Sequence, residues 1–368
     1  MNETYVLPRK VLMTADAAGE VWTYSLELAR GLGERGIEVA LATLGEPLND
    51  LQRNQSERVP GLRVFEGHRK MEWLLNLESR ICPDIVHLND CAHAALPWAA
   101  PTVAVAHSCV LSRWQAVHHE ASAEDWDRVH TETATGLASA GFVVAPSTAM
   151  LAALAAHYGP LPATRVIPHG RDAHLFRAAA KEPMIFSTGP LWDEAKNLTA
   201  LEQAAPQLAW PVFVSGESKH PDGGEIRPHH TRQLGRLTQR ALAAWLGRSS
   251  IYALPAHYEP FGLCVLEAAL AGCALVLGDL PNLRETWRNR AVFVPPDDPQ
   301  ALQEALAALI REPDRRQSLA AGAHKRALEY TPERMVDGYL QVYAQVLADS
   351  EAAFPVEVEV AYPQQIAV

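Results

Sequence analysis

The stretch from Tyr252 to Gly272, YALPAHYEPFGLCVLEAALAG, brings together the residue types that could do chemistry. A strand ends in a loop carrying His257 and Glu259, and Pro260 leads into a run with the apolar periodicity of a helix. If that helix starts near Phe261, the amides of Phe261, Gly262, Leu263 and Cys264 have no partner within it and point out of its positive end. Gly262 has no Cβ, so an anion can approach the backbone closely, and a diphosphate would suit the place. Glu267 falls about two turns into the same helix, so Glu259 and Glu267 reach different parts of one extended ligand rather than forming a paired acid and base.

Such a helix start needs a parallel sheet behind it, because open α/β sheets bind ligands beyond the carboxyl ends of their strands. The chain alternates short β-branched runs with longer helical patterns, which predicts two Rossmann-like α/β domains with a cleft between them. In the first, strands are expected at Lys10 to Ala15, Ile37 to Thr43, Leu62 to Phe65, Asp84 to Leu88, Thr102 to His107, Phe142 to Pro146 and Arg165 to Pro168, with a helix over Val21 to Glu34. From His169 to Pro183 no strand pattern is visible, so the first domain is expected over 1–170 and a linker over 171–183.

The second domain is expected over 184–330, with strands at Met184 to Thr188, Val212 to Ser215, Ser250 to Leu254, Ala274 to Leu277 and Val292 to Val294 and a helix near Leu198 to Leu208. The polar run Glu217 to Leu237 predicts a loop with one short strand near the cleft. Helices at Pro299 to Arg311, Pro313 to Tyr330 and Pro332 to Ala348 open on proline, which suits a first helical position. The helix over 331–350 is expected to pack back toward the first domain, and the tail over 351–368 to be partly loose.

Length and composition fit this plan. A chain of 368 residues exceeds what one core sustains, and 48% hydrophobic with 20% charged residues is globular rather than disordered. A formal net charge of -11 gives no general attraction to nucleic acid, which excludes it as an expected partner. Cys82, Cys91, Cys109, Cys264 and Cys273 are scattered and form no C-x-x-C pair, so neither a disulfide framework nor a zinc site is signalled. The opening residues MNETYVLPRKVLM have no apolar signal core, and no apolar run approaches the ~20 residues of a membrane span. These features predict a cytoplasmic protein and leave a peripheral membrane contact open. No G-x-G-x-x-G follows the first strand, which argues against a dehydrogenase.

Glu259 and Glu267, with PFGL after the first, resemble the E-x7-E motif of retaining GT-B glycosyltransferases of family four, the group 1 glycosyl transferases. Further pieces of that pattern follow in order: GEVWTY with LELARGL, HLND, AHSC, APS, IPHG, GPLWDEAKN, VSGE and LVLGDLPNLRE. The resemblance implies a hexosyl-type transfer from a nucleotide-sugar to an acceptor hydroxyl with retention, in polysaccharide or glycoconjugate biosynthesis, the acceptor being carbohydrate, lipid-linked or a small molecule. It implies that Glu267 accepts from the donor ribose, that Glu259 contacts the transferred sugar, and that Lys196 reaches the diphosphate. It further implies that His107 lines the sugar site and that Gly19, Phe261, Gly262 and Leu263 shape the donor side.

No D-x-D motif is suitably placed, so no metal and no cofactor beyond the co-substrate is expected. His118, His119, His229 and His230 read as surface or loop residues, and acceptor choice is expected in the loops Leu44 to Gly61 and Cys109 to Thr131. Two positions depart from the family pattern. Glu20 follows Gly19 where a second glycine is usual, and Pro190 follows Gly189 where an arginine is usual. Glu20 would repel a diphosphate unless it turns away, and Pro190 removes a cationic contact. Two readings stay open: an active transferase with a rearranged phosphate site, and a homologue that binds a ligand or partner without transfer.

Overall fold

The computed structural model describes residues 6–17, 19–67, 71–118, 126–220 and 223–353. The tail beyond 353 and His119 lie outside them. The first sheet is formed by β1 (Lys10–Asp16), β2 (Glu38–Leu44), β3 (Leu62–Gly67), β4 (Ile85–Leu88), β5 (Thr102–Val105), β6 (Phe142–Ala145) and β7 (Thr164–Val166). All pairs are parallel, in the order β3-β2-β1-β4-β5-β6-β7. Side chains alternate across β1: Val11, Met13 and Ala15 enter one core, and Leu12 enters the other. Both faces are therefore buried, which is why the strands read as nearly continuous apolar runs.

The second sheet holds β8 (Glu182–Thr188), β9 (Val212–Ser215), β10 (Arg232–Gln233), β11 (Ser249–Leu254), β12 (Ala274–Gly278) and β13 (Val292–Val294). It too is parallel, in the order β10-β9-β8-β11-β12-β13. The strand order reverses between β1 and β4 in one sheet and between β8 and β11 in the other, and each reversal opens a crevice at the strands' carboxyl ends.

Some expected boundaries shift. β8 starts at Glu182, inside the segment read as linker, because Ser249 on β11 pairs with it. Helix α7 (Leu198–Ala204) gives way to a 3-10 turn at Ala205–Gln207 holding Pro206, which has no N–H to continue the helix. The loop expected at 44–61 contains α2 (Asp50–Ser56), started by a capping box between Asn49 and Gln52. The run from Glu217 to Leu237 supplies β10, at the outer edge of the second sheet.

Two stretches cross side by side between the sheets, 167–171 and 328–332. The Arg171 amide donates to the Tyr330 carbonyl at 3.0 Å, and a Cβ on Gly170 would collide with the Thr331 carbonyl. Helix α13 (Pro332–Ala353) then lies on the first sheet's side, with Met335, Val336, Tyr339, Val342, Tyr343 and Val346 in the same core as α1 (Gly19–Gly33). Gly31 permits this contact, since a Cβ there would strike Val336.

The two sheets' layers are also tied directly. Arg113 pairs with Asp193 at 2.7 Å, and the Cys109 amide donates to Tyr258 Oη at 2.7 Å. Glu285 accepts the Thr148 and Ala149 amides at 2.9 and 3.0 Å, at the start of α6 (Thr148–Tyr158).

Candidate active site

The loop after β11 carries Glu259, and two asparagines hold its backbone. Asn197 Nδ2 donates to the Pro255 and Pro296 carbonyls at 2.9 and 2.8 Å, and Asn282 Nδ2 donates to the Glu259 and Pro260 carbonyls. Asn197 takes a left-handed conformation (φ 56°) as the N-cap of α7, and this places Lys196 just before it. Lys196 Nζ donates to Glu259 Oε2 at 2.7 Å, with the lysine side chain 18% exposed and the glutamate side chain 0%. Burial works against the ammonium, but Glu259 and Glu20 outweigh it and raise the Lys196 pKa.

Helix α9 (Leu263–Leu270) starts two residues later than expected from the sequence. Gly262 at φ 85° forms its N-cap, so the turn needs glycine, and no side chain caps the helix. Phe261 precedes the helix, and its ring enters the core against His169 and Tyr330. The amides without an intrahelical partner are therefore those of Gly262, Leu263, Cys264 and Val265, and Phe261 drops out of the expected set.

One of those amides faces a carboxyl. The Glu20 carboxyl, from the first turn of α1, lies within hydrogen-bonding reach of the Leu263 amide and close to Glu259, Lys196 and Glu267. It does not turn away from the anion position; it stands close to it. Gly19 precedes it in a left-handed conformation (φ 69°) with open space around a hypothetical Cβ, so glycine serves the backbone there and not the clearance.

Enclosure in protein and then the neighbouring Glu259 push the Glu20 pKa up to about 8, with Lys196 and the Leu263 amide pulling the other way. An acid rather than an anion thus faces the helix start at neutral pH. Its ordinary value is 4.5, so its contribution to stability is complete below about 4.5 and lost as the pH rises through about 8. The same proton sets anion affinity: binding of a nucleoside diphosphate is expected to weaken between about pH 7 and about pH 9 as Glu20 ionises, and Glu20→Gln to lose that dependence. Calorimetric titration across that range checks this, and a profile identical in the two proteins overturns it.

Glu267 is also engaged. Arg171 Nε donates to Glu267 at 2.8 Å and its Nη1 donates to Glu27 at 2.6 Å, so one buried guanidinium from the crossing segment joins α9 to α1. Burial raises the pKa of both carboxyls, and Arg171 opposes the rise. Arg171, Glu27 and the thiol of Cys264, which was read only for its amide, escaped the sequence reading; the only signal was their place after IPHG, within LELARGL and after PFGL.

His107 follows β5 and its Nε2 donates to Asn89 Oδ1 at 2.8 Å, while Asn89 Nδ2 donates to the Thr14 carbonyl and to Ser25 Oγ. Its ring stacks on His169 at 5.3 Å and meets the edge of Tyr24 at 4.6 Å. Burial, with His169 adding to it, holds its pKa well below the ordinary range, so the imidazole is neutral.

Two cavities flank this cluster. One of about 580 Å³ opens at the carboxyl ends of β1, β4 and β5, lined by Asp16, Asn89, His107 and Ser108 with Met71 and Leu154 among the apolar residues. The other, of about 540 Å³, lies between the two sheets and is lined by Gly19, Glu20, Arg171, Gly189, Leu263 and Glu267. Lys196 and Glu259 line neither, while Glu20 lines the second. Gly189 makes room for the Lys196 stem, whose Cγ a Cβ there would meet at 3.4 Å.

No helix among the described residues is long and apolar enough to cross a membrane. The family described as Glycosyltransferase Family 4 matches residues 21–175, and that described as Glycosyl transferases group 1 matches 177–326. A glycogen synthase of Mycobacterium tuberculosis is 29% identical over 273 residues, covering 66% of this chain and 64% of that protein, so the match spans just under two thirds of the relative. A D-inositol 3-phosphate glycosyltransferase of Xylanimonas cellulosilytica is 27% identical over 400 residues, covering 90% and 93%.

The fold is similar to sucrose-phosphate synthase of Thermosynechococcus elongatus (TM-score 0.76, 17% identity, 93% of this chain and 100% of that one). It is also similar to Anabaena HepE in complex with UDP and glucose (TM-score 0.74, 16% identity, 92% and 100%). With one family half on each parallel sheet, in chain order from residue 21 to residue 326, the chain belongs to the group 1 and family 4 glycosyltransferases of GT-B architecture.

Proposed function

We propose that the chain transfers a hexosyl unit from a nucleoside diphosphate sugar to an acceptor hydroxyl, with retention and without a divalent metal. The observation that carries this reading is the Lys196–Glu259 pair beneath the start of α9, with a cavity on each side. In it, the nucleotide enters the cavity between the sheets and its ribose hydroxyls meet Glu267, a carboxylate that can accept from two neighbouring hydroxyls. Lys196 and the α9 amides face the diphosphate and stabilise the charge that builds on it as the glycosidic bond breaks. Glu259 touches the transferred sugar near its reacting carbon. The acceptor occupies the cavity in the first sheet's crevice, where neutral His107, its Nε2–H held by Asn89, accepts a hydrogen bond from a hydroxyl at Nδ1.

This order of events requires the Glu20 side chain to leave the Leu263 amide as the diphosphate arrives. The placement of Glu20 favours a second reading for the same reason: a GT-B homologue that binds a ligand or partner and transfers nothing. The melting temperature separates them, measured in chelator with a panel of nucleoside diphosphates and their sugars. A ligand at ~100 times its dissociation constant adds about 2.7 kcal/mol, a shift of a few degrees. Native chain is expected to show that shift with one nucleotide and Glu267→Ala to show none. If no nucleotide shifts the native chain, transfer is overturned and the second reading stands.

A further inference from the structure

Only one carboxylate oxygen of Glu259 has a partner: Oε2 holds Lys196, while Oε1 is buried with none, in a residue that is 1% exposed. A buried carboxylate oxygen without a donor is costly, so its surroundings should offer it a proton or a cation. The surroundings hold two further ligand-type groups. One oxygen each of Glu20 and Glu259 and the Sγ of Cys264 all lie within 4.8 Å of one another. We propose that Glu20, Glu259 and Cys264 form a zinc site at the junction of the two sheets.

The geometry is close to what the ion needs. Zinc bonds of about 2.0 to 2.3 Å in a tetrahedron set ligand atoms about 3.3 to 3.8 Å apart, so the three groups close by about an ångström around it. Three protein ligands leave a fourth position for water, as in zinc sites that exchange a ligand. Glu20 and Cys264 line the cavity between the sheets, which gives the ion a path inward. The thiol selects zinc over magnesium or calcium, which prefer all-oxygen shells.

Charge also balances. At rest the Glu259 carboxylate is matched by the Lys196 ammonium, which stays on Oε2. Zn²⁺ takes Glu20 as carboxylate and Cys264 as thiolate, so any protons they carry leave as it enters, and these two negative ligands match the ion's two positive charges. The site needs no transferase activity to exist. If the chain transfers sugars as proposed above, a bound zinc takes Glu259 from the sugar and shuts transfer off, a consequence that rests on that reading.

The test is equilibrium dialysis of the full chain, stripped with chelator and free of any histidine tag, against Zn²⁺ with excess Mg²⁺ present. One tightly bound zinc per chain is expected, weakened by more than about 10-fold in Cys264→Ser and in Glu20→Gln. Co²⁺ in its place is expected to give the near-ultraviolet sulfur-to-metal band that only a thiolate ligand produces, and Cys264→Ser to remove it. Absence of bound zinc overturns the proposal, as does binding that both variants leave unchanged, which would place the ion on the chain's histidines. Cys264→Ser is nearly isosteric, so it serves alone if Glu20→Gln melts early.

Discussion

Glu20→Gly is expected to raise the affinity for a nucleoside diphosphate by on the order of 10- to 100-fold, measured by calorimetry near pH 8, where the native carboxyl is half ionised. The native side chain stands near the Leu263 amide and Lys196 and competes for both with an incoming diphosphate. A hydrogen bond to a charged group is worth about 1.5 to 3 kcal/mol, and its loss to an internal competitor reduces affinity by the corresponding factor. The substitution returns that amide and that ammonium to the ligand. Glycine weakens the first turn of α1 by about 1 kcal/mol, while the enclosed acid it removes had itself favoured unfolding at high pH, so the melting temperature changes less than the affinity.

Adding Pro190→Arg to Glu20→Gly is the natural extension, since it supplies a second cation beside Gly189. If both proteins bind no better than the native chain, Glu20 does not obstruct the anion and the plugged-site description fails. If binding appears only after the change, the native site is a degenerate one.

Lys196→Ala is expected to cost about 3 to 5 kcal/mol of stability, because it leaves the Glu259 carboxylate buried at 0% side-chain exposure with no cation. Transfer should fall by on the order of 100- to 1000-fold, the scale for removing one group that meets developing charge. Those effects have different causes, and a paired substitution separates them. Lys196→Met with Glu259→Gln removes both charges at similar volume, so the melting temperature should recover most of the loss while transfer stays absent. A Lys196→Ala protein that melts like the native chain would show the pair to be solvated. A double variant that still transfers would remove both residues from the reaction.

Much of the architecture was legible from local pattern. Runs such as Val11 to Ala15 and Val103 to Val105 are buried on both faces, and sheets of that kind announce themselves as short, unbroken apolar stretches. The helix starts at Pro299, Pro313 and Pro332 coincide with the observed ones, because proline's fixed φ suits the first turn and its missing N–H costs nothing there. The start of α9 was less legible. Gly262 was read as clearance for an anion inside the helix, and its left-handed conformation makes it the residue before the helix, a distinction that periodicity does not carry.

The candidate site divides in the same way. Glu259, Glu267, Lys196 and His107 stand out by residue type and spacing, since each sits where a strand ends or a helix begins and such positions open toward ligands. Their partners do not. Glu20 approaches Leu263, Arg171 joins Glu27 to Glu267, and His107 stacks on His169, in every case between elements distant in the chain that only tertiary packing brings together.

The sequence by itself determined the two-sheet α/β plan and the residues with the chemistry of a sugar-nucleotide cleft, because propensity, capping and apolar period act over a few neighbouring residues. Tertiary structure alone decided that the carboxyl of Glu20 lines the cleft beside Glu259 and Lys196. That outcome depends on how α1 and α9 are set against each other by α13 and the crossing segments, and on the charges of Glu259 and Lys196 that this packing brings beside Glu20. Neither is a property of any short stretch of chain.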